Sequence, residues 1–166
     1  MLSDISQHAL DIAINSLRSG AKNICVSVSH SSNGTALEIS DDGCGIDEPL
    51  LSEIKSSLDL PPSGSSHNGL KSLFASSEGR LKITSEKGVG TTIFATFSKD
   101  FPLGNIKETA KCLFTLCSAQ GIRFELLTNG KRFDSEEFIS NTEKNGIQGA
   151  QLYKLLDERL TISTKI

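Results

Sequence analysis

Residues 40–46 read SDDGCGI, and the rest of the chain makes sense around this turn. It follows residues 35–40, TALEIS, where Ala36, Leu37 and Ile39 give the partial alternation of a short strand. Asp41 and Asp42 arrive as that strand ends, and Gly43 and Gly45 follow one residue apart. Glycine reaches backbone conformations closed to other residues and lets main chain approach a ligand closely. An acid fixed at a strand terminus beside such a loop can accept a hydrogen bond from an exocyclic amine. The same composition also suits an ordinary acidic turn, so the neighbouring elements must separate the two readings.

Upstream, Asp4 and Gln7 fit a capping box, and Gly20 closes the helix they open. His8, Asp11, Asn15 and Arg18 recur at intervals of three and four, which puts them on one polar stripe of that helix. Such a stripe faces either water or a pocket. Residues 22–30 alternate Ile24, Val26 and Val28 on one face of a strand, and Asn33-Gly34 signals a hairpin into residues 35–40.

Downstream, Asp47-Glu48-Pro49 opens a short helix to about Leu58. Residues 60–69, LPPSGSSHNG, are the most turn-rich stretch and read as a mobile surface loop. A short helix is expected over 69–77, with Leu70, Leu73 and Phe74 inward, then a hairpin of strands 80–86 and 91–97. After a connector at 100–104, Asn105 caps a helix with the apolar stripe Ile106, Ala110, Leu113, Phe114 and Cys117. A strand over 122–128, the turn Asn129-Gly130 and a short return strand follow. Residues 135–140 and 148–160 read as helical, and the tail 161–166 is expected to fray.

The 166 residues suffice for one unit with a real core. A net charge of −3, one Tyr and no Trp give no electrostatic or stacking basis for nucleic acid or an anionic membrane. No apolar run approaches a membrane span, and the first residues show no signal peptide. Cys25, Cys44, Cys112 and Cys117 form no CxxC pair and read as reduced thiols in a cytoplasmic protein.

Four short motifs occur in order: Asp11-x3-Asn15, Asp41-x-Gly43-x-Gly45, Gly69-Leu70 after the loop, and Gly90-Thr91-Thr92 opening a strand. Their order and spacing resemble the motif boxes of the GHKL ATPase superfamily, which includes DNA gyrase, the heat-shock chaperone, histidine kinases and mismatch-repair proteins. The chain looks closest to small histidine-kinase-like, anti-sigma-factor-like ATP-binding proteins encoded beside iron-only hydrogenase subunits. HALDIAINSLRSGAKNI at 8–24 and FPLGNIKET at 101–109 carry that closer resemblance, which covers about residues 1–138.

The resemblance implies a Bergerat-type α/β sandwich, with a mixed, mostly antiparallel sheet and helices on one face. Residues 1–98 would form the ATP-binding core and 99–166 a C-terminal extension packed on the same unit. By the same resemblance Asp41 takes the adenine amino group, Gly43 and Gly45 pass the loop over the base, and Thr91 reaches the adenine pocket. Asn15 ligates Mg²⁺ bridging the phosphates of ATP or ADP. Asp11 stands where hydrolysing members carry a glutamate that activates water, and acts through an intervening water. The helix beginning at Gly69 meets the phosphates. Where the superfamily has a Gly-x-Gly-Leu-Gly type of segment, this chain has Asn68-Gly69-Leu70-Lys71, so Lys71 either supplies a phosphate contact or obstructs the site. Residues 56–69 contain no Lys or Arg to follow the phosphates.

These readings lead to a cytoplasmic ATP-binding regulatory protein with a protein partner, regulatory or hydrogenase-associated, and leave a homodimer open. Its activity is that of a slow Mg²⁺-dependent ATPase or anti-sigma-type protein kinase. The alternative is a degenerate, non-hydrolysing interaction module.

Overall fold

The computed structural model describes residues 3–60 and 67–166. The Pro- and Ser-rich centre of the expected loop, residues 61–66, lies outside the described residues. Twelve elements follow one another among those described: α1 (Ile5–Arg18), β1 (Asn23–Ser31), β2 (Gly34–Asp41), α2 (Glu48–Ser57), α3 (Asn68–Ser76), β3 (Leu81–Glu86), β4 (Gly90–Phe97), α4 (Ile106–Ala119), β5 (Arg123–Thr128), β6 (Lys131–Asp134), α5 (Ser135–Lys144) and α6 (Ala150–Ser163).

The strands form one six-stranded sheet in the order β3-β4-β2-β1-β5-β6. Only β1 and β5 run parallel; every other pair is antiparallel. Period-2 alternation turns Ile24, Val26 and Val28, with Leu37, Ile39, Ile93, Ala95, Phe124 and Leu126, onto one buried face. The helices cover that face, and Ile5, Ile12, Leu73, Leu113, Leu156 and Leu160 complete a single core. Their neighbours along the strands, such as Cys25, Ser27, Glu38 and Lys82, stay half-buried or exposed on the other side. The fold is the two-layer sandwich expected.

Residues beyond 98 do not stand apart from the sheet. Leu126 pairs with Val26 of β1, and the Arg123 N–H donates to the Lys22 carbonyl at 2.9 Å. At this edge Asp134 caps α5 and accepts from Arg123 and Arg132. The hydrogen bond from Arg123 holds the Asp134 carboxyl below the usual carboxylate range.

Local signals landed with small shifts. Asp4, Asp47 and Asn105 cap their helices through side-chain acceptance of the N3 N–H. The first hairpin turns one residue earlier than expected, at Ser32-Asn33, because Gly34 already pairs with Ser31. α5 runs on to Lys144, and the expected fraying of 161–166 gives way to an α6 that continues to Ser163. Ser163 is buried, and its carbonyl accepts from the buried Thr128 hydroxyl, so packing holds the end of that helix.

His8 departs from its stripe. Its ring is almost fully buried, stacked against Phe97 and Phe101 at 6.1 and 6.2 Å, with Nε2 2.9 Å from the Ser76 hydroxyl of α3. Burial pushes its pKa down, opposed by the charges of Asp11 and Asp4. A histidine that is harder to protonate folded than unfolded contributes stability above its unfolded pKa, roughly 6.5, and loses it as pH falls below that value. The melting temperature of the wild type is therefore expected to fall between pH 7.5 and 5.5 more than that of His8→Gln. Equal slopes would remove His8 from the account.

Candidate functional site

Asp41 ends β2, directly opposite Thr91 in the β2–β4 register. Two donors fix its carboxylate: the Ser16 hydroxyl to Oδ2 at 2.5 Å and the Gly43 N–H to Oδ1 at 2.9 Å. Ser16 is buried on α1, one residue after Asn15. Its neighbour Asp42 is spent differently. Asp42 accepts from the N–H groups of Lys22 and Asn23, both at 2.8 Å, and from the Asn23 amide at 2.7 Å. Desolvation works against that charge, but the bonds from Asn23 and Lys22 outweigh it and hold the carboxyl below its ordinary range. Asp42 ties the end of β2 to the start of β1, while Asp41 is bonded to α1 through Ser16 and lines a cleft.

The glycine turn is stitched on both sides. The Cys44 N–H donates to the carbonyl of Ser19, which ends α1, and its own carbonyl accepts from the N–H of Gly88 in the β3–β4 hairpin. A Cβ on Gly43 would lie 1.9 Å from the Ser19 hydroxyl, and one on Gly45, whose φ is +64°, 1.9 Å from the Glu86 carbonyl. Both positions therefore exclude other residues, by close approach and, at Gly45, by backbone conformation as well. Ile46 donates to the Ser85 hydroxyl at 2.8 Å, and that hydroxyl also meets Thr91 Oγ1 at 2.8 Å.

Around Asp41 lies a cleft of about 540 Å³ between α1, α3, this loop and β4. Its apolar walls come from Ile12, Ile46, Ile54, Leu70 and Ile93, and its polar groups from Asn15, Arg18, Asp41, His67 and Thr91. Apolar walls with a few convergent polar groups are what a planar heterocycle needs. Asn15 and Arg18 thus line a pocket, while His8, on the same stripe, is packed beneath α3. At the cleft's other end α3 begins with no side-chain cap on its first turn. Among the described residues the first main-chain bond there runs from the Lys71 N–H to the His67 carbonyl, and none of them accepts from the N–H groups of Asn68, Gly69 or Leu70.

Of the residues singled out from the sequence, Asn15, Asp41, Gly45, Gly69 and Thr91 line the cleft together. Gly43 sits behind the lining, shaping the turn against Ser19. Asp11 is exposed on α1 beside Gly69, one turn from Asn15, and is not among the lining residues. Lys71 is buried within α3 and does not line the cleft either. Sequence reasoning passed over Ser16 and Ser19, and named Arg18 only as a member of the polar stripe. Ser16 and Ser19 are polar positions on a mostly apolar face, a signal available in retrospect. Among the described residues no cluster of three or more His, Cys, Asp or Glu side chains is placed to hold a metal.

Residues 1–101 match the family described as histidine kinase-, DNA gyrase B-, and HSP90-like ATPase. No curated protein matches the chain. Among solved structures, the Aquifex aeolicus MutL ATPase domain complexed with ADP is similar over 98% of this chain and 70% of its own, at 14% identity and a TM-score of 0.52. The N-terminal domain of a DNA repair protein is similar over 79% of this chain at 19% identity and a TM-score of 0.49, and this chain spans about half, 51%, of that one. At such identities the likeness concerns the fold, while the family match covers the cleft, its glycine turn and the hairpin behind it. The chain belongs to the histidine kinase-, DNA gyrase B- and HSP90-like ATPase family.

Proposed function

We propose that the chain is an ATP-binding regulatory protein of the histidine-kinase-like type, with slow Mg²⁺-dependent turnover. The observation that carries this reading is Asp41, held by Ser16 and Gly43 and lining a cleft with apolar walls. Asp41 accepts from the adenine amino group, Thr91 stands beside it, and the loop carrying Gly43 and Gly45 packs along the base. The N–H groups at the start of α3, around Gly69, receive the phosphates, with Arg18 and His67 in the cleft wall. Asn15 offers a neutral oxygen for Mg²⁺. That ion is commonly held by one or two protein groups with phosphates and water. When bound, Mg²⁺ supplies charge neutralisation at the phosphates. That a MutL domain was captured with ADP makes ADP the first ligand to titrate.

Asp11 orients water for hydrolysis only through an intermediate molecule, being one turn from Asn15 and outside the lining. Slow turnover follows, since positioning accounts for several kcal/mol of such barriers. With Lys71 buried away from the cleft, the second reading, a non-hydrolysing interaction module, retains support. The regulatory role, cytoplasmic in setting and directed at a protein partner of the hydrogenase-associated kind, rests on the resemblance of residues 8–24 and 101–109.

Titration calorimetry with ADP and ATP, with and without Mg²⁺, tests the proposal. Saturable binding is expected for both nucleotides, and Asn15→Ala should remove the Mg²⁺ dependence of ATP binding while leaving metal-free ADP binding intact. Absence of binding would end the reading. Phosphate release that depends on Asp11 separates the ATPase from the interaction module.

A further inference from the structure

The sheet leaves one long edge uncovered by another strand, that of β3. Thr96 donates to the Arg80 carbonyl at the base of the β3–β4 hairpin, which sets the phase of the ladder. Lys82 and Thr84 therefore bond to β4, and the N–H and C=O groups of Leu81 and Ile83 point outward. No hydrogen bond among the described residues takes up those outward groups. Beyond them the edge is closed, because Ile46 docks on Ser85. Four residues, roughly 13 Å of strand, remain open.

Alongside this edge runs a groove of about 490 Å³ between β3, α2 and Phe74 of α3. Its apolar lining comes from Leu51, Leu58, Phe74 and Leu81, and Lys55 and Lys82 stand on its rim. Neither lysine has an ion-pair partner among the described residues, and the rim's one acid, Glu48, is hydrogen-bonded to Ser52. An open strand edge selects an extended backbone, the apolar lining selects alternate apolar side chains, and Lys82, on the face opposite that lining, selects an acidic residue between them.

We propose that the β3 edge is a docking site for an extended segment of a partner protein, alternating apolar and acidic residues, which adds as a seventh strand. A second copy of this chain fits less well. Antiparallel self-pairing centred on Ile83 puts the two Lys82 side chains on one face as diagonal neighbours, about 7–8 Å apart, and like charges there repel. The partner segment brings the opposite charge to the same positions.

The probe is a fluorescein-labelled hexapeptide of alternating valine and glutamate, followed by fluorescence anisotropy against the full chain. Saturable binding is expected. N-methylation of the peptide nitrogens that would face β3 should weaken it about tenfold or more, through the loss of two backbone bonds. A valine–lysine peptide should bind at least as poorly, and Lys82→Glu should invert the preference between the two while leaving the melting temperature unchanged. Because the N-methylated peptide tests the edge without altering the protein, a variant that misfolds does not decide the matter. The proposal is overturned by absence of saturable binding, by equal binding of the N-methylated peptide, or by sedimentation showing a dimer from which the peptide competes one copy away.

Discussion

Replacing Asp41 with Asn is expected to weaken ADP binding by about 1–3 kcal/mol, roughly 5- to 150-fold in Kd, with little change in melting temperature. The substitution preserves shape, and the existing hydrogen bonds show why the fold tolerates it. An asparagine oxygen still accepts from the Gly43 N–H, and its amide group donates to a rotated Ser16 hydroxyl. What is lost is the acceptor aimed into the cleft. An N–H there meets the exocyclic amine of adenine donor to donor, leaving both without a partner. Calorimetry on the purified variant, with a thermal melt as control, reads the two quantities separately. Unchanged affinity at unchanged stability would mean that Asp41 merely holds the turn. The corresponding change at Asp42 is expected to do the opposite, lowering stability with a smaller effect on affinity, since its acceptors serve Lys22 and Asn23.

The second large effect lies outside the family match, at Phe124. This is the largest of the fully buried side chains; it stands on β5 opposite Ile24 of β1 and near Phe133. Phe124→Ala is expected to cost about 3–5 kcal/mol, the transfer energy of the ring together with the cavity left behind. Urea unfolding followed by circular dichroism should shift as one transition, and ADP affinity below the midpoint should be retained. Two separate transitions, with residues 1–98 still folded at the first, would show that the C-terminal segment folds independently of the nucleotide core. One transition is expected because β1, in the middle of the sheet, is bonded on one side to β2 and on the other to β5.

What the amino-acid sequence determined by itself is mostly local. The alternation of Ile24, Val26 and Val28, the caps Asp4, Asp47 and Asn105, and the turn Asn129-Gly130 each act within a few residues, so their signals survive without the rest of the fold. The family, too, could be read from short motifs, because the backbone conformations and close approaches they require are themselves local. Gly43 and Gly45 are an example. Tertiary structure alone decided the rest. Nothing near residue 123 says that β5 lies parallel to β1, about 100 residues earlier; closing so long a loop is repaid only by the shared buried face. Adjacent Asp41 and Asp42 are chemically identical in the sequence, and only the positions of Ser16, Lys22 and Asn23 give them different work. His8 reads as part of a stripe facing water or a pocket and Lys71 as a group at the phosphates, yet both are buried, because α1 and α3 each contact more than one neighbour. Helical periodicity tells which residues share a face; how many faces are covered depends on what packs against them.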